Sequence, residues 1–335
     1  MRWLRSASLM GLALAVTGLV ALSGPADAAE VTLKLGHVAP LGVTHDIAAN
    51  KFAELVARES SGRIEIKVHG NSQFGNLQEH WAQIKTGAID LFLQDAGAAF
   101  MVEPPPKNFI ITLFPYLFDS QEHFHKFCES ELFKKMMAKV EEAAQVKYLG
   151  YVGDRAPRGF STTDREVATL DQIKGLKLRV PEVPPFVAAY QAWGASPTPI
   201  QAKDMYTALK SGMVMGMDQD LVSFHLGKYH EIQKYFTALD YMRSGLGVWI
   251  NSGQWAKLSE EDRAVLLKAA RETGTQVNQV TAQELAEVAQ KLSQAGLKLV
   301  HPDLEPWQKA VQPIFQKSEG KMWEAGLYDR IKALK

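Results

Sequence analysis

A short apolar strand, a helix and a second strand recur along this chain, and that alternation limits the fold more than any other feature. Val31 to Leu35 alternates apolar and polar residues, as does Arg63 to Val68. Between them Ala48, Phe52, Leu55 and Val56 recur at helical spacing behind Thr44, the expected N-cap. A loop from Gly70 to Gly75, a helix carrying Leu77, Trp81 and Ile84 that ends near Gly87, and a strand from Ile89 to Leu93 come next. Such alternation predicts an α/β fold, a parallel sheet covered by helices. Pro104-Pro105-Pro106 marks a rigid loop. After a helix from about Ser120 to Ala143 and a strand near Tyr148, the pattern restarts. Leu176 to Val180 reads as a strand, Phe186 to Trp193 and Lys203 to Leu209 as helices, and Met213 to Met217 as a strand.

The two halves echo each other. Ile84 to Asp95 and Leu209 to Asp220 both pass from a helix end through Lys-small-Gly into an apolar strand that finishes Gln-Asp. Recurrent αβ-loop grammar explains the echo as well as a repeat does. Either way, ligands of open α/β sheets sit beyond the carboxyl ends of strands. Gln94 and Asp95 would then lie at one mouth, and Gln219 and Asp220 at an equivalent one. From Ser259 to Gly296 the chain reads as one long helix across both lobes, with a break near Gly274 as the alternative. Ser259 and Asp262 resemble a capping box, and Gly296 suits the C′ position. Lys298 to Val300 is a last strand, before an amphipathic helix carrying Trp307, Val311, Phe315 and Trp323.

Residues 1–28 read as a Sec signal peptide. Arg2 and Arg5 precede the apolar run Leu9 to Leu22, and Ala26-Asp27-Ala28 supplies the small residues before cleavage after Ala28. The whole chain balances 37 basic against 37 acidic side chains, which gives no support for nucleic-acid binding. No later apolar run is long enough to span a bilayer. The single cysteine, Cys128, cannot form an intramolecular disulfide and reads as a packed thiol in a helix.

Enzyme signatures are missing: there is no P-loop, HExxH, GxSxG or paired CxxC. Gly245-Leu246-Gly247 reads as strand backbone rather than a dinucleotide fingerprint. His123 and His125 point to different faces of a helix, and Met213, Met215 and Met217 read as core. No metal set and no cofactor are expected. What remains is a set of cations. Arg155 and Arg158 lie in one loop, and Arg179 sits on a short apolar strand ended by Pro181. A buried guanidinium needs a partner, supplied either by this protein or by a ligand carboxylate that its planar fork would match. Asp154, Asp164 and Glu182 are the internal partners considered for the cluster.

Taken in order, Gly70-Asn71-Ser72-Gln73-Phe74-Gly75, Gly87-Ala88-Ile89-Asp90, Phe114-Pro115-Tyr116-Leu117-Phe118, Arg158-Gly159-Phe160-Ser161, Gly175 to Pro181 and Tyr206 to Gly212 give the chain a resemblance over essentially its whole length. It resembles the substrate-binding proteins of tripartite ATP-independent periplasmic (TRAP) transporters, DctP type. The resemblance implies a two-lobed periplasmic-binding-protein fold with hinge strands and a long helix spanning both lobes. Lobe I would comprise 29–153 plus about 244–285, and lobe II 154–243 plus about 286–335. It implies a periplasmic receptor that closes on a small organic acid and delivers it to membrane permease subunits.

Arg179 matches the family's principal carboxylate-binding arginine and Arg158 its frequent second one. Gln219 stands where the family often has asparagine, and Met215 and Met217 replace the usual Asp and Gln. Gln219, with Gln94 or Asp95, would orient the rest of the ligand, Asp218 is a further ligand-binding candidate, His37 is in reach, and Phe160, Trp193, Phe224 and Trp249 are candidate walls. Acidic and amide groups at the strand mouths favour a hydroxylated acid such as a uronate or aldonate. An aromatic or short aliphatic acid, and a sensor partner of a receptor kinase, are the alternatives; an enzyme is disfavoured.

Overall fold

The computed structural model describes residues 29–334, so the expected signal segment lies outside the described residues. Eleven strands among them form two sheets: β1 (Val31–Gly36), β2 (Ile64–His69), β3 (Leu91–Asp95), β4 (Val146–Asp154), β5 (Arg158–Thr162), β6 (Lys177–Val180), β7 (Ser196–Pro199), β8 (Gly216–Asp220), β9 (Tyr235–Thr237), β10 (Gly245–Asn251) and β11 (Lys298–Val300). The first sheet runs β2-β1-β3-β10-β4 and the second β11-β9-β5-β8-β6-β7. Both are mixed rather than purely parallel. β10 lies antiparallel to β3 and β4, and β5 antiparallel to β8 and β9. The chain passes between the sheets from β4 to β5 and from β9 to β10.

A third connection is the helix Glu260–Gln294, 35 residues without a break and about 52 Å long at 1.5 Å per residue. Leu266, Ala269, Ala270 and Val277 belong to the core under the first sheet, whereas Val288 and Leu292 pack in the core of the second. Glycines allow that approach. A Cβ on Gly153, whose φ is +142°, would meet Val277 Cγ1 at 2.3 Å, and one on Gly274 would meet the Tyr151 carbonyl oxygen at 2.9 Å. Gly274 therefore seats the helix on β4 instead of breaking it. Ser259 caps the start by accepting from Asp262 N at 3.0 Å, and Gly296 follows the end at φ +86°.

Elsewhere the local grammar shifts by a residue or two. Val43, not Thr44, occupies the N-cap of Thr44–Glu59. The expected single helix over 120–143 is two, Gln121–Glu129 and Glu131–Ala144, because Ser130 ends one and caps the next by accepting from Phe133 N. The strand expected at Met213 begins at Gly216, after the left-handed Gly212. Met217 is therefore core, while Met213 is 60% exposed. Cys128 lies at the end of Gln121–Glu129 against the first-sheet core, where burial pushes its thiol pKa up. Gly245 to Gly247 is β10 backbone. Trp307 and Val311 cover the second sheet, and Trp323, Leu327 and Ile331 return to the core of the first. Among the described residues no helix is long and apolar enough to cross a membrane.

Candidate binding site

A cavity of about 340 Å³ lies between the two sheets, lined by the carboxyl ends of β3 and β8 together with β5 and β6. The order β5-β8-β6 explains its chemistry, since Arg158 opens β5 and Arg179 sits on β6, one on each side of β8. Both guanidiniums are buried, and their partners differ.

Arg158 is ion-paired with Asp218, which also accepts from the hydroxyls of Tyr190, at 3.0 Å, and Tyr241. The guanidinium lies over the Phe186 ring, 5.1 Å from its centroid. Desolvation opposes its charge, but the Asp218 carboxylate prevails and the pKa rises. Arg179 donates from Nε to the Ile200 carbonyl at 3.0 Å. Among the described residues it has no ion pair, and no protein acceptor engages its terminal nitrogens. Desolvation is the largest influence on it and the Arg158 charge adds to that, so that despite Asp218 its pKa falls to about 10. It remains charged at neutral pH.

Arg155 is neutralised from within. Its Nη2 lies 2.5 Å from Asp220 and donates to Gln219 Oε1 at 3.1 Å, and its Nη1 is 3.7 Å from Asp95. The partners considered from sequence do not fill this role. Asp154 instead accepts from Gln121, His125 and Tyr151 beside the long helix. Among the described residues Glu182, exposed at the cavity rim, has no ion pair, and none places Asp164 on these arginines.

On the first-sheet side, Gln94 and Asp95 end β3. Gln94 Oε1 lies 2.8 Å from His45 Nε2 and accepts from Asp95 N, also at 2.8 Å. Asp95 accepts from Ser244 Oγ at 2.8 Å and Gly97 N at 3.1 Å. Desolvation, together with Arg155 and His37, holds the His45 pKa well below 6.5, so its ring is neutral.

Of the residues expected at the site, the structure brings together Arg179, Arg158, Gln219, Gln94 and Asp95 on the cavity wall. Asp218 stands behind that wall, fully buried against Arg158 and two tyrosines. His37 turns to the helix Thr44–Glu59, with Nε2 3.1 Å from Asp46. Trp249 is core, packed between Trp81 and Tyr148 with centroids 5.1 and 5.4 Å away. Phe160 and Trp193 pack on Trp307, and Phe224 on Phe236. None of these four aromatics lines the cavity; Phe186, Leu113, Val183 and Met205 do.

Sequence reasoning passed over His45, Phe186, Asn76 and Gln201, which also line the cavity. Phe186 follows Pro184-Pro185 in the first turn of its helix and lines the cavity. No sequence signal marks His45.

The DctP family model, bacterial extracellular solute-binding protein, family 7, matches residues 35–321. A solute-binding protein of Roseobacter denitrificans is 31% identical over 305 residues, which cover 91% of this chain and 92% of that one. The sialic acid-binding periplasmic protein of Vibrio cholerae is 26% identical over 296 residues, 88% and 90% of the two chains. A crystal structure of a TRAP periplasmic solute binding protein from Roseobacter denitrificans with bound L-galactonate superposes with a TM-score of 0.81. Its identity is 26%, and the match covers 92% of this chain and 99% of that one. The chain belongs to the DctP family of bacterial extracellular solute-binding proteins, the substrate-binding proteins of TRAP transporters.

Proposed function

We propose that the protein is a periplasmic receptor for a small hydroxylated organic acid, such as a uronate or aldonate, which it delivers to TRAP permease subunits. The observation that carries this reading is Arg179, a buried cation on the cavity wall with only a backbone carbonyl for partner among the described residues. A ligand carboxylate would take its two terminal nitrogens in the bidentate geometry that a guanidinium offers. Each such charge-assisted bond contributes about 1.5–3 kcal/mol net. Arg158, fixed by Asp218 and Phe186, would add a second contact. The amides of Gln219 and Gln94, with Asp95, would bond ligand hydroxyls. The L-galactonate bound in the Roseobacter denitrificans structure, and the sialic acid for which the Vibrio cholerae protein is named, are hydroxylated acids and support that choice.

In this reading ligand contacts from both sheets favour a closed state, by hinge motion at the β4–β5 and β9–β10 crossings. The moving bodies are residues 29–153 with about 244–285, and 154–243 with about 286–335, the segment around Trp323 riding with the first. Residues 1–28 would direct Sec export and be removed after Ala28. The protein acts by binding and release, without turnover. A thermal-shift screen against organic acids tests the reading, since a ligand that binds only the native state raises its stability in proportion to ln(1 + [L]/Kd). Protection by hydroxy acids in the parent, lost in Arg179→Ala, supports it; protection by none of them contradicts it.

A further inference from the structure

Carboxylates outnumber guanidiniums around the cavity, four to three, among the described residues. Among the described residues three guanidiniums line it, those of Arg155, Arg158 and Arg179. Against them stand three buried carboxylates: Asp220 and Asp95 bracket Arg155, and Asp218 holds Arg158. Glu182 adds a further carboxylate at the rim, no lysine among the described residues lines the cavity, and the His45 ring is neutral. One cation, Arg179, is therefore left for a ligand anion. A second anionic group would find the charge of each remaining guanidinium already paired, with a buried Nε of each left without an acceptor among the described residues, and would approach Asp95 or Glu182. Like charges brought together in a desolvated site repel strongly.

We propose that the cavity selects acids carrying a single negative charge and rejects the diacids of the same carbon skeleton, with Asp95 as a residue that enforces the choice. Asp95 lies at the end of β3, across from the second-sheet arginines. Its carboxylate is fixed by Ser244 and Gly97 and cannot swing away from a ligand without losing both bonds. Hydroxyls, by contrast, can donate to it. The same group that welcomes a polyol chain thus disfavours a terminal carboxylate.

This inference rests on the carboxylate role given to Arg179 above, and the test separates the two. The mature protein is titrated calorimetrically with D-galacturonate, L-galactonate and galactarate, the diacid reached by oxidising one end of a galacturonate skeleton. At least one monoacid should bind ten-fold or more tightly than galactarate. In Asp95→Asn, whose amide oxygen still accepts from Gly97 N while its NH2 can donate to the Ser244 hydroxyl, that ratio should fall by three-fold or more. Galactarate binding within three-fold of the better monoacid, or a ratio unchanged in Asp95→Asn, overturns the inference. If Arg179→Ala then still abolishes binding, the carboxylate reading survives it. Monoacid binding that persists in Arg179→Ala overturns the carboxylate reading itself, and failure of all three acids to bind the parent contradicts both.

Discussion

Arg158 and Arg179 flank the same strand, β8, yet Asp218 neutralises the first while, among the described residues, the second is held by the Ile200 carbonyl alone. Two arginines that look equivalent in sequence therefore contribute differently, one mainly to the fold and one mainly to the ligand.

Asp218→Asn should be strongly destabilising. It leaves the Arg158 charge buried without its counterion and weakens the acceptor shared by Tyr190 and Tyr241. Breaking one side of a buried pair costs about 3–5 kcal/mol. Urea denaturation at pH 7 should show that loss. Arg179→Ala should lose less than about 1 kcal/mol in the ligand-free protein, because removing an unpaired buried charge offsets the packing lost.

His45 predicts a pH dependence. Desolvation depresses its folded-state pKa below the unfolded value near 6.5, so the unfolded chain takes up a proton that the folded chain refuses. The stability present above pH 6.5 is lost as pH falls from there towards the folded pKa, with a slope of at most about 1.4 kcal/mol per pH unit for one group. His80 and His225 are depressed as well, also by desolvation first. The difference between the parent and His45→Gln isolates this site. Denaturation between pH 7 and 5 should show a shallower fall in the variant; parallel curves would contradict the assignment.

Gly153→Ala should destabilise the seat of the long helix by about 2 kcal/mol or more, through both strain at φ +142° and the Val277 contact. Adding Val277→Ala should recover only part of the steric share, because the Cβ that alanine keeps would still lie 2.7 Å from the new methyl. Full recovery in the double variant would show that the backbone conformation costs nothing.

Much of this arrangement is legible in the sequence, for local reasons. Arg179 stands out because a fixed cation on an apolar strand ended by proline must find a partner. Gln94, Asp95 and Gln219 stand out because the strand–helix grammar puts strand ends at a ligand mouth, and all three line the cavity. What escapes depends on contacts between distant segments. Nothing around Asp218 announces that Tyr190 and Tyr241 will converge on it, and nothing around His45 announces Gln94. The aromatic walls were misplaced for a related reason. Bulk at positions such as Trp249 and Phe224 marks a core residue as readily as a pocket wall, and only packing against Trp81 or Phe236 settles which. Element ends moved where a cap outweighed periodicity, as at Ser130 and Gly212.

The most direct measurement is calorimetric titration of the parent and Arg179→Ala with the strongest-binding acid of the thermal-shift screen, each protein first shown folded by circular dichroism. Losing two charge-assisted bonds to one carboxylate predicts binding weakened by at least about 100-fold, with the variant's ligand-free melting temperature close to the parent's. Affinity within three-fold of the parent would contradict the assignment of Arg179 as the carboxylate anchor.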